Sequence, residues 1–443
     1  MILTFHYPNY KHPKVEKVNA RTSLISFNFC DYCNMEITPK VLNNGLRICY
    51  IPQSFNNICH VALTIGVGTR HEKTEHNGMA HYIEHTIFKG TKKRKPFHIL
   101  SRIDSVGGEL NAFTTKEETC IYISVHNNYL ERAVELLSDL FFSATFPEKE
   151  IIKEKEVIKD EIQMYLDTPS EQIYDDFEEF IFKKHPLGLS ILGSHKSLDN
   201  IKRKDVLNFI KEHYVPSNAV LSASTPSGEI HFNKIAQKYF SKNVNKTDNT
   251  KNNYRINKTT INKSISRNVV QAHSVIGNFA YARNNPRRTS LVLLNNLLGG
   301  PGMNSRLNLN IREKYGFTYQ IDSSYQTYTE TGIFSIYFST DFSKKERTEE
   351  LIYKELNILC KKKLSSNQLN AAKRQFIGQL TLSRENVLNM VLGAGKSVLY
   401  KGYVESFNDV IKRIDKISST EIIETANQIF EPKKLSVLNY VKL

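Results

Sequence analysis

The chain has 443 residues, 40% of them hydrophobic and 24% charged, and 60 Lys and Arg against 45 Asp and Glu leave it a formal charge of +15. That length exceeds what one hydrophobic core usually organises, so two domains are expected. No run approaches the roughly 18 apolar residues of a membrane span, the basic surplus carries neither an aromatic–basic RNA motif nor a helix-turn-helix pattern, and six cysteines are too few for a disulfide framework.

Residues 1–34 read as an irregular arm. It contains Pro8 and Pro13, lacks the apolar stretch of a signal peptide, and holds one arginine, Arg21, so it is also a poor transit peptide. The expectation is a cytoplasmic protein, or one of the mitochondrial matrix if the host is eukaryotic, with Met35 an alternative start of translation. Cys30 and Cys33 form a CxxC with no second pair to complete a zinc ribbon. Reduced thiols are expected, with Cys49, Cys59 and Cys120 buried in strands.

From residue 35 the pattern becomes regular. Residues 39–51 read as strand, turn and strand, with Asn44-Gly45 as the hairpin signal. A strand at 60–65 leads through a glycine-bearing loop, 66–78, into a helix over 79–88. Residues 107–114 open a strand, 119–125 form a second strand in β-branched and aromatic alternation, and 128–142 predict a helix. Pro147 suits the first position of a long helix reaching about Leu166. The Asn/Lys/Thr-rich stretch 241–265 predicts a linker. Beyond it the order restarts, with a strand at 269–280, a helix at 288–298 and a glycine-rich turn at Gly299-Gly300-Pro301-Gly302. The halves, 35–240 and 266–443, read as diverged copies of one α+β unit, each a mainly antiparallel sheet packed against helices.

Chemistry concentrates in His81-Tyr82-Ile83-Glu84-His85. Residues four apart on a helix lie on one face, so His81 and His85 can reach a single metal ion. Glu84 beside them can hold and deprotonate a metal-bound water, which is the HxxEH order of the inverted zincins. The second half has Leu-Leu-Asn-Asn-Leu-Leu in the corresponding helix, so one metal per chain is expected. Catalytic zinc wants a third protein ligand and an open position. In the helix after Pro147, Ile151, Glu154, Ile158, Glu161, Ile162 and Tyr165 fall near one stripe, which turns Glu154 and Glu161 toward the buried side. A ligand and its supporting carboxylate would explain them. So would two acids on a charged helix alternating with Lys149, Lys153 and Lys155, and the pattern alone does not choose.

Asn77-Gly78-Met79-Ala80-His81-Tyr82-Ile83-Glu84-His85 followed by Phe88-Lys89-Gly90-Thr91 resembles the active-site helix of the pitrilysin and mitochondrial processing peptidase family. Glu154-Lys155-Glu156-Val157-Ile158-Lys159-Asp160-Glu161 is similar to that family's third-ligand segment. The resemblance implies zinc held by His81, His85 and Glu161, with Glu154 supporting the site from behind and Glu84 as general base. Arg312-Glu313-Lys314-Tyr315-Gly316-Phe317-Thr318-Tyr319 resembles the distal-domain segment whose arginine and tyrosine reach substrate, which implies such roles for Arg312 and Tyr319. Asn111 and Ala112 would lie on the edge strand that pairs with an extended peptide, and Gly299 and Gly300 on a loop that touches entering substrate. Together these imply a zinc endopeptidase acting on extended or unfolded peptides. The length matches half of a four-domain chamber, which implies a homodimer, or a heterodimer with a metal-free relative; specific nucleic acid and a membrane span are not expected partners. The alternative is a catalytically silent scaffold or the partner subunit of a heterodimeric processing peptidase. His71 and His76 read as surface loop residues, and Cys59-His60 as strand packing.

Overall fold

Gly45 takes a φ of +89°, the left-handed conformation open to glycine, and its N–H bonds back to the Leu42 carbonyl at 2.8 Å. That turn folds β1 (Lys40–Val41) onto β2 (Arg47–Tyr50), as Asn44-Gly45 predicts. The computed structural model describes residues 36–52, 56–242 and 254–442. The arm 1–34, with Cys30 and Cys33, and Met35 lie outside the described residues.

Two sheets organise the chain. β3 (Ile58–Ile65), β4 (Glu109–Thr114), β5 (Thr119–His126) and β6 (Ala219–Ser224) join the first pair in the order β1-β2-β6-β3-β5-β4. The second sheet contains β7 (Asn262–Arg267), β8 (Ala272–Ala280), β9 (Thr318–Thr327), β10 (Gly332–Thr340) and β11 (Ser436–Lys442), in the order β7-β11-β8-β10-β9. Without β1 the two orders correspond strand for strand. Each sheet has one parallel pair at the same place, β2 with β6 and β11 with β7, and the other pairs are antiparallel. Internal duplication is therefore written into topology as well as element order.

The first half supplies α1 (Met79–Thr86), α2 (Pro96–Asp104), α3 (Leu130–Ser143), α4 (Glu148–Leu166), α5 (Pro169–Phe182), α6 (His195–Asn200), α7 (Arg203–His213) and α8 (Glu229–Phe240). The second supplies α9 (Arg288–Gly299), α10 (Lys345–Lys361), α11 (Ser366–Ser383), α12 (Val387–Lys401), α13 (Phe407–Asp415) and α14 (Ser419–Ile429). In each half one sheet face is closed by that half's own helices. Leu63, Ile121 and Ile123 meet Tyr82, Ile83 and Leu137 in the first, and Ile276, Phe334 and Ile336 meet Leu294, Ile352 and Phe430 in the second.

The opposite faces are covered by exchange. α5 leaves the first half and lays Ile173, Phe177 and Ile181 on Val275, Phe279 and Tyr440 of the second sheet. α12 returns the exchange, setting Val391, Ala394 and Val398 on Cys49, Ala62 and Val220 of the first. These side chains are buried, and each valine, isoleucine and phenylalanine among them contributes about 2 kcal/mol of apolar transfer. The two halves thus share core.

Three local expectations shift. Pro147 is the cap of α4 rather than its first residue, because its ψ of 134° keeps it extended. Strand structure begins inside the stretch 241–265, since β7 starts at Asn262 and pairs with β11 along the sheet edge. The strand expected from residue 269 begins at Ala272, leaving Val270 exposed. Among the described residues no helix is long and apolar enough to cross a membrane.

Candidate metal centre

α1 starts where it does because Gly78 adopts a φ of +94° and a side chain there would meet the Leu192 carbonyl. Its open N–H groups are then taken by a buried carboxylate. Glu72 accepts from Gly78 N at 2.7 Å, Ala80 N at 2.7 Å and the Asn77 amide at 3.0 Å. Burial still pushes the Glu72 carboxyl up to about 7 against those donors. Tyr82 ties the helix to α4 by donating to the Ile151 carbonyl.

That contact puts the stripe of α4 opposite the histidines. His81 and His85 stand one turn apart, their ring centroids 4.6 Å from each other. Glu161 Oε2 lies 3.8 Å from His81 Nε2 and 3.4 Å from His85 Nε2. The three offer donor atoms all within 4.8 Å of one another. Tetrahedral bonds of about 2.1 Å require donors roughly 3.4 Å apart, so two nitrogens and a carboxylate oxygen at these spacings fit zinc. Among the described residues this is the one cluster of at least three His, Cys, Asp or Glu donors so arranged.

Charge prepares the ligands. Burial, and then His85 beside it, push His81 down to about 4, which leaves the imidazole neutral, the form that binds metal. His85 is raised in spite of its burial, because Glu161 and Glu154 flank it. Its Nδ1 sits 3.2 Å from Glu154 Oε1, and Lys89 Nζ holds the other Glu154 oxygen at 2.8 Å. Glu154 is therefore a buried carboxylate held between the His85 ring and Lys89. Glu161 is held below the usual range, first by its hydrogen bond with His85.

Glu84, next to His85 on α1, is not one of the three donors. Its Oε2 is buried without a hydrogen-bond partner among the described residues, and burial raises its carboxyl. A carboxylate so placed is poised to take a proton.

The edge strand lies alongside. Thr115 N bonds to the Glu118 carbonyl at 2.8 Å, and the antiparallel alternation from there turns the N–H groups of Leu110, Ala112 and Thr114 to the open edge of β4. Among the described residues Ala112 N is met only by its neighbour, Asn111 Oδ1, at 2.8 Å. Arg312 and Tyr319 stand together, the guanidinium 6.0 Å from the exposed ring, one in the π-helical segment Asn308–Glu313 that precedes β9 and the other at the start of β9. No hydrogen bond or ion pair among the described residues joins either to His81, Glu84, His85 or Glu161. Gly299 packs where a side chain would meet Ser323 of β9, and Gly300 where one would meet Asn296. His71 and His76 line a separate cleft of about 680 Å³ with His213 and Asp205, and His60 pairs with Ser124. Buried in strands, Cys49, Cys59 and Cys120 have thiols pushed up to about 12. Glu72 and Lys89 are the contributors to which the sequence assigned no role; Lys89 falls four residues after His85, a helical spacing that could have flagged it, whereas Glu72, in the loop before the helix, carries no such signal.

A helix-borne HxxEH cluster completed by a glutamate from a second helix is the arrangement of a metallopeptidase of the inverted-zincin class. The insulinase model of peptidase family M16 matches residues 47–195, and the M16 inactive-domain model matches residues 200–376. The chain belongs to peptidase family M16. It is similar to an uncharacterized zinc protease of Rickettsia felis, at 33% identity over 88% of this chain and 94% of that one. It is likewise similar to the uncharacterized zinc protease YmxG of Bacillus subtilis, at 31% identity over 87% and 94%. In fold it resembles a Helicobacter pylori protease, with a TM-score of 0.85, 22% identity and coverage of 92% of this chain and 100% of the other. A Pseudomonas fluorescens M16 inactive-domain structure also gives 0.85, at 16% identity over 92% and 98%.

Proposed function

We propose that the chain is a zinc-dependent endopeptidase that hydrolyses extended or unfolded peptides. The observation that carries this is the convergence of His81, His85 and Glu161 on one point, with Glu84 half-buried on the same helix and one of its carboxylate oxygens buried without a hydrogen-bond partner among the described residues. His81, His85 and Glu161 would hold zinc, one ion per chain, from a domain spanning 35–240. Zinc, when bound, supplies a Lewis acid that acidifies water and polarises the scissile carbonyl. Glu84 accepts the proton of the attacking water and returns it to the departing amine. Glu154, itself held by Lys89, fixes the ring of His85. The N–H groups on the open edge of β4, with that of Ala112 at the centre and the Asn111 side chain beside it, receive the peptide main chain, which favours any segment able to extend. The domain spanning 266–443 would carry no metal and present Arg312 to a substrate carbonyl and Tyr319 to the developing oxyanion, with Gly299 and Gly300 lining entry. Because those residues have no tie to the triad of their own chain, a second copy supplies them, and a heterodimer with a metal-free relative is the variant of the same idea.

Cleavage of a quenched, unstructured peptide by wild type and by Glu84→Gln, with zinc recorded in both, tests the reading. Turnover by wild type alone at equal zinc is the expected result. Bound zinc without turnover in either would favour the silent scaffold or a missing partner, and no zinc at all would end the proposal.

A further inference from the structure

The turn between β4 and β5 is made of three consecutive charges, Lys116, Glu117 and Glu118, and all three are buried. Charged side chains at a hairpin tip ordinarily face water. Here each pins a different element. Lys116 reaches the Leu189 carbonyl at 2.5 Å and Glu178 of α5 at 3.3 Å, and Glu118 is held by Lys396 and Tyr400 of α12. Glu117 does most. One of its oxygens accepts from Arg70 at 2.5 Å and from Thr329 N at 3.0 Å, and the other pairs with Arg283. Arg70 also forks onto both oxygens of Glu330, at 2.7 and 2.5 Å.

The two sides of this cluster lead to different places. Arg70 and Thr69 donate their backbone N–H groups to Lys116 and Thr115, two residues before the Glu72 that caps α1. Glu330 and Thr329 form the turn between β9 and β10, and Arg283 N bonds to the Tyr328 carbonyl in that turn. Charge-assisted bonds therefore run from the distal half to Arg70, and two residues of chain connect Arg70 to the Glu72 carboxylate that caps the helix bearing His81 and Glu84. Paired buried charges of this kind hold discrete arrangements, because a displaced partner is left desolvated and alone.

We propose that Glu117, Arg70, Glu330 and Arg283 form a positioning cluster that sets α1 from the distal β9–β10 turn. The proposal rests on the peptidase reading for its kinetic consequence, but not for its structural one. Glu330 is the member to change, since its side chain is 30% exposed and Glu330→Gln keeps the shape while removing the charge. Hydrogen exchange of the peptide spanning 68–80 should speed up in Glu330→Gln, although the substitution lies in the other half of the chain. With zinc content equal to wild type, kcat should fall about tenfold and KM stay within about twofold. A purely local brace would raise exchange at 328–331 alone and leave kcat untouched, which overturns the proposal. Exchange that spreads to 68–80 with unchanged kcat would overturn it too, by reducing the cluster to a tie between halves. Should Glu84→Gln turn over like wild type, the peptidase reading falls, and exchange at 68–80 still decides whether the two elements are coupled.

Discussion

At the scale of single residues, the site depends on groups that never touch substrate. In the proposed site Glu154 orients His85 and is itself neutralised by Lys89, so Glu154→Gln should keep the fold while letting the imidazole turn. Loss of such an orienting carboxylate weakens metal binding by about 10–100-fold, measurable by competition with a chromophoric chelator; equal affinity in both proteins would remove Glu154 from the site. Glu72 makes a second residue-scale prediction, with a definite sign. An ordinary carboxyl titrates near 4.5, and burial pushes this one up to about 7 in the folded protein. Below 4.5 it is protonated in both states; as pH rises the unfolded chain ionises first, so the folded state loses ground until about pH 7. Wild type should therefore lose stability relative to Glu72→Gln between those limits, by about 3 kcal/mol at most. Urea unfolding of both proteins at pH 5 and 7.5 checks it, and a constant gap would refute it. The histidines and Glu84 were legible in sequence because helical spacing puts them on defined faces, whereas for the α4 carboxylates spacing left two readings open and the family resemblance chose between them. Glu72 and Lys89 were not assigned roles, because their partners are set by how separate elements approach.

At the scale of elements, β4 is the one whose exposure matters. Ala112 N faces the open edge and, among the described residues, is occupied only by the adjacent Asn111 side chain, so an incoming peptide can take it over. Ala112→Pro deletes that donor on an edge strand, where proline is tolerated, without altering the ladder to β5. One main-chain hydrogen bond is worth about 1 kcal/mol, so KM should rise roughly fivefold with zinc unchanged. An unaltered KM would move peptide docking elsewhere. The strand itself was legible from its alternation and from the glycines before it. β7 was not: Asn-Lys-Ser-Ile-Ser-Arg has no apolar face to announce a strand, and it is ordered by the parallel neighbour β11 instead. Helices α5 and α12 show the same limit. Their apolar stripes predict burial, and nothing in a stripe says that the sheet it covers belongs to the other half.

At the scale of the molecule, the shared cores and the Glu117 cluster fix where the distal residues lie. β9 starts beside Tyr319 and ends at the turn that Glu117 holds, and about nine residues of strand span roughly 30 Å. The metal helix is tied to the end of β9 that Glu117 holds, and Arg312 and Tyr319 sit at the other. If Arg312 and Tyr319 act on substrate as proposed, one chain would carry the parts of a site without assembling them, and two copies related by a twofold axis would assemble two sites. This gives a complementation test. Glu84→Gln leaves a copy with good distal residues, and Arg312→Ala with Tyr319→Phe leaves one with a good metal helix. Each protein alone should turn over peptide far more slowly than wild type. Co-expressed in equal amounts, half of the dimers would be mixed, and each mixed dimer would hold one intact site of two, so activity should recover to about a quarter of wild type. Activity no greater than the sum of the separate variants would mean that the distal pair acts within its own chain or not at all. Full activity in the Arg312 and Tyr319 variant alone would choose the second of those.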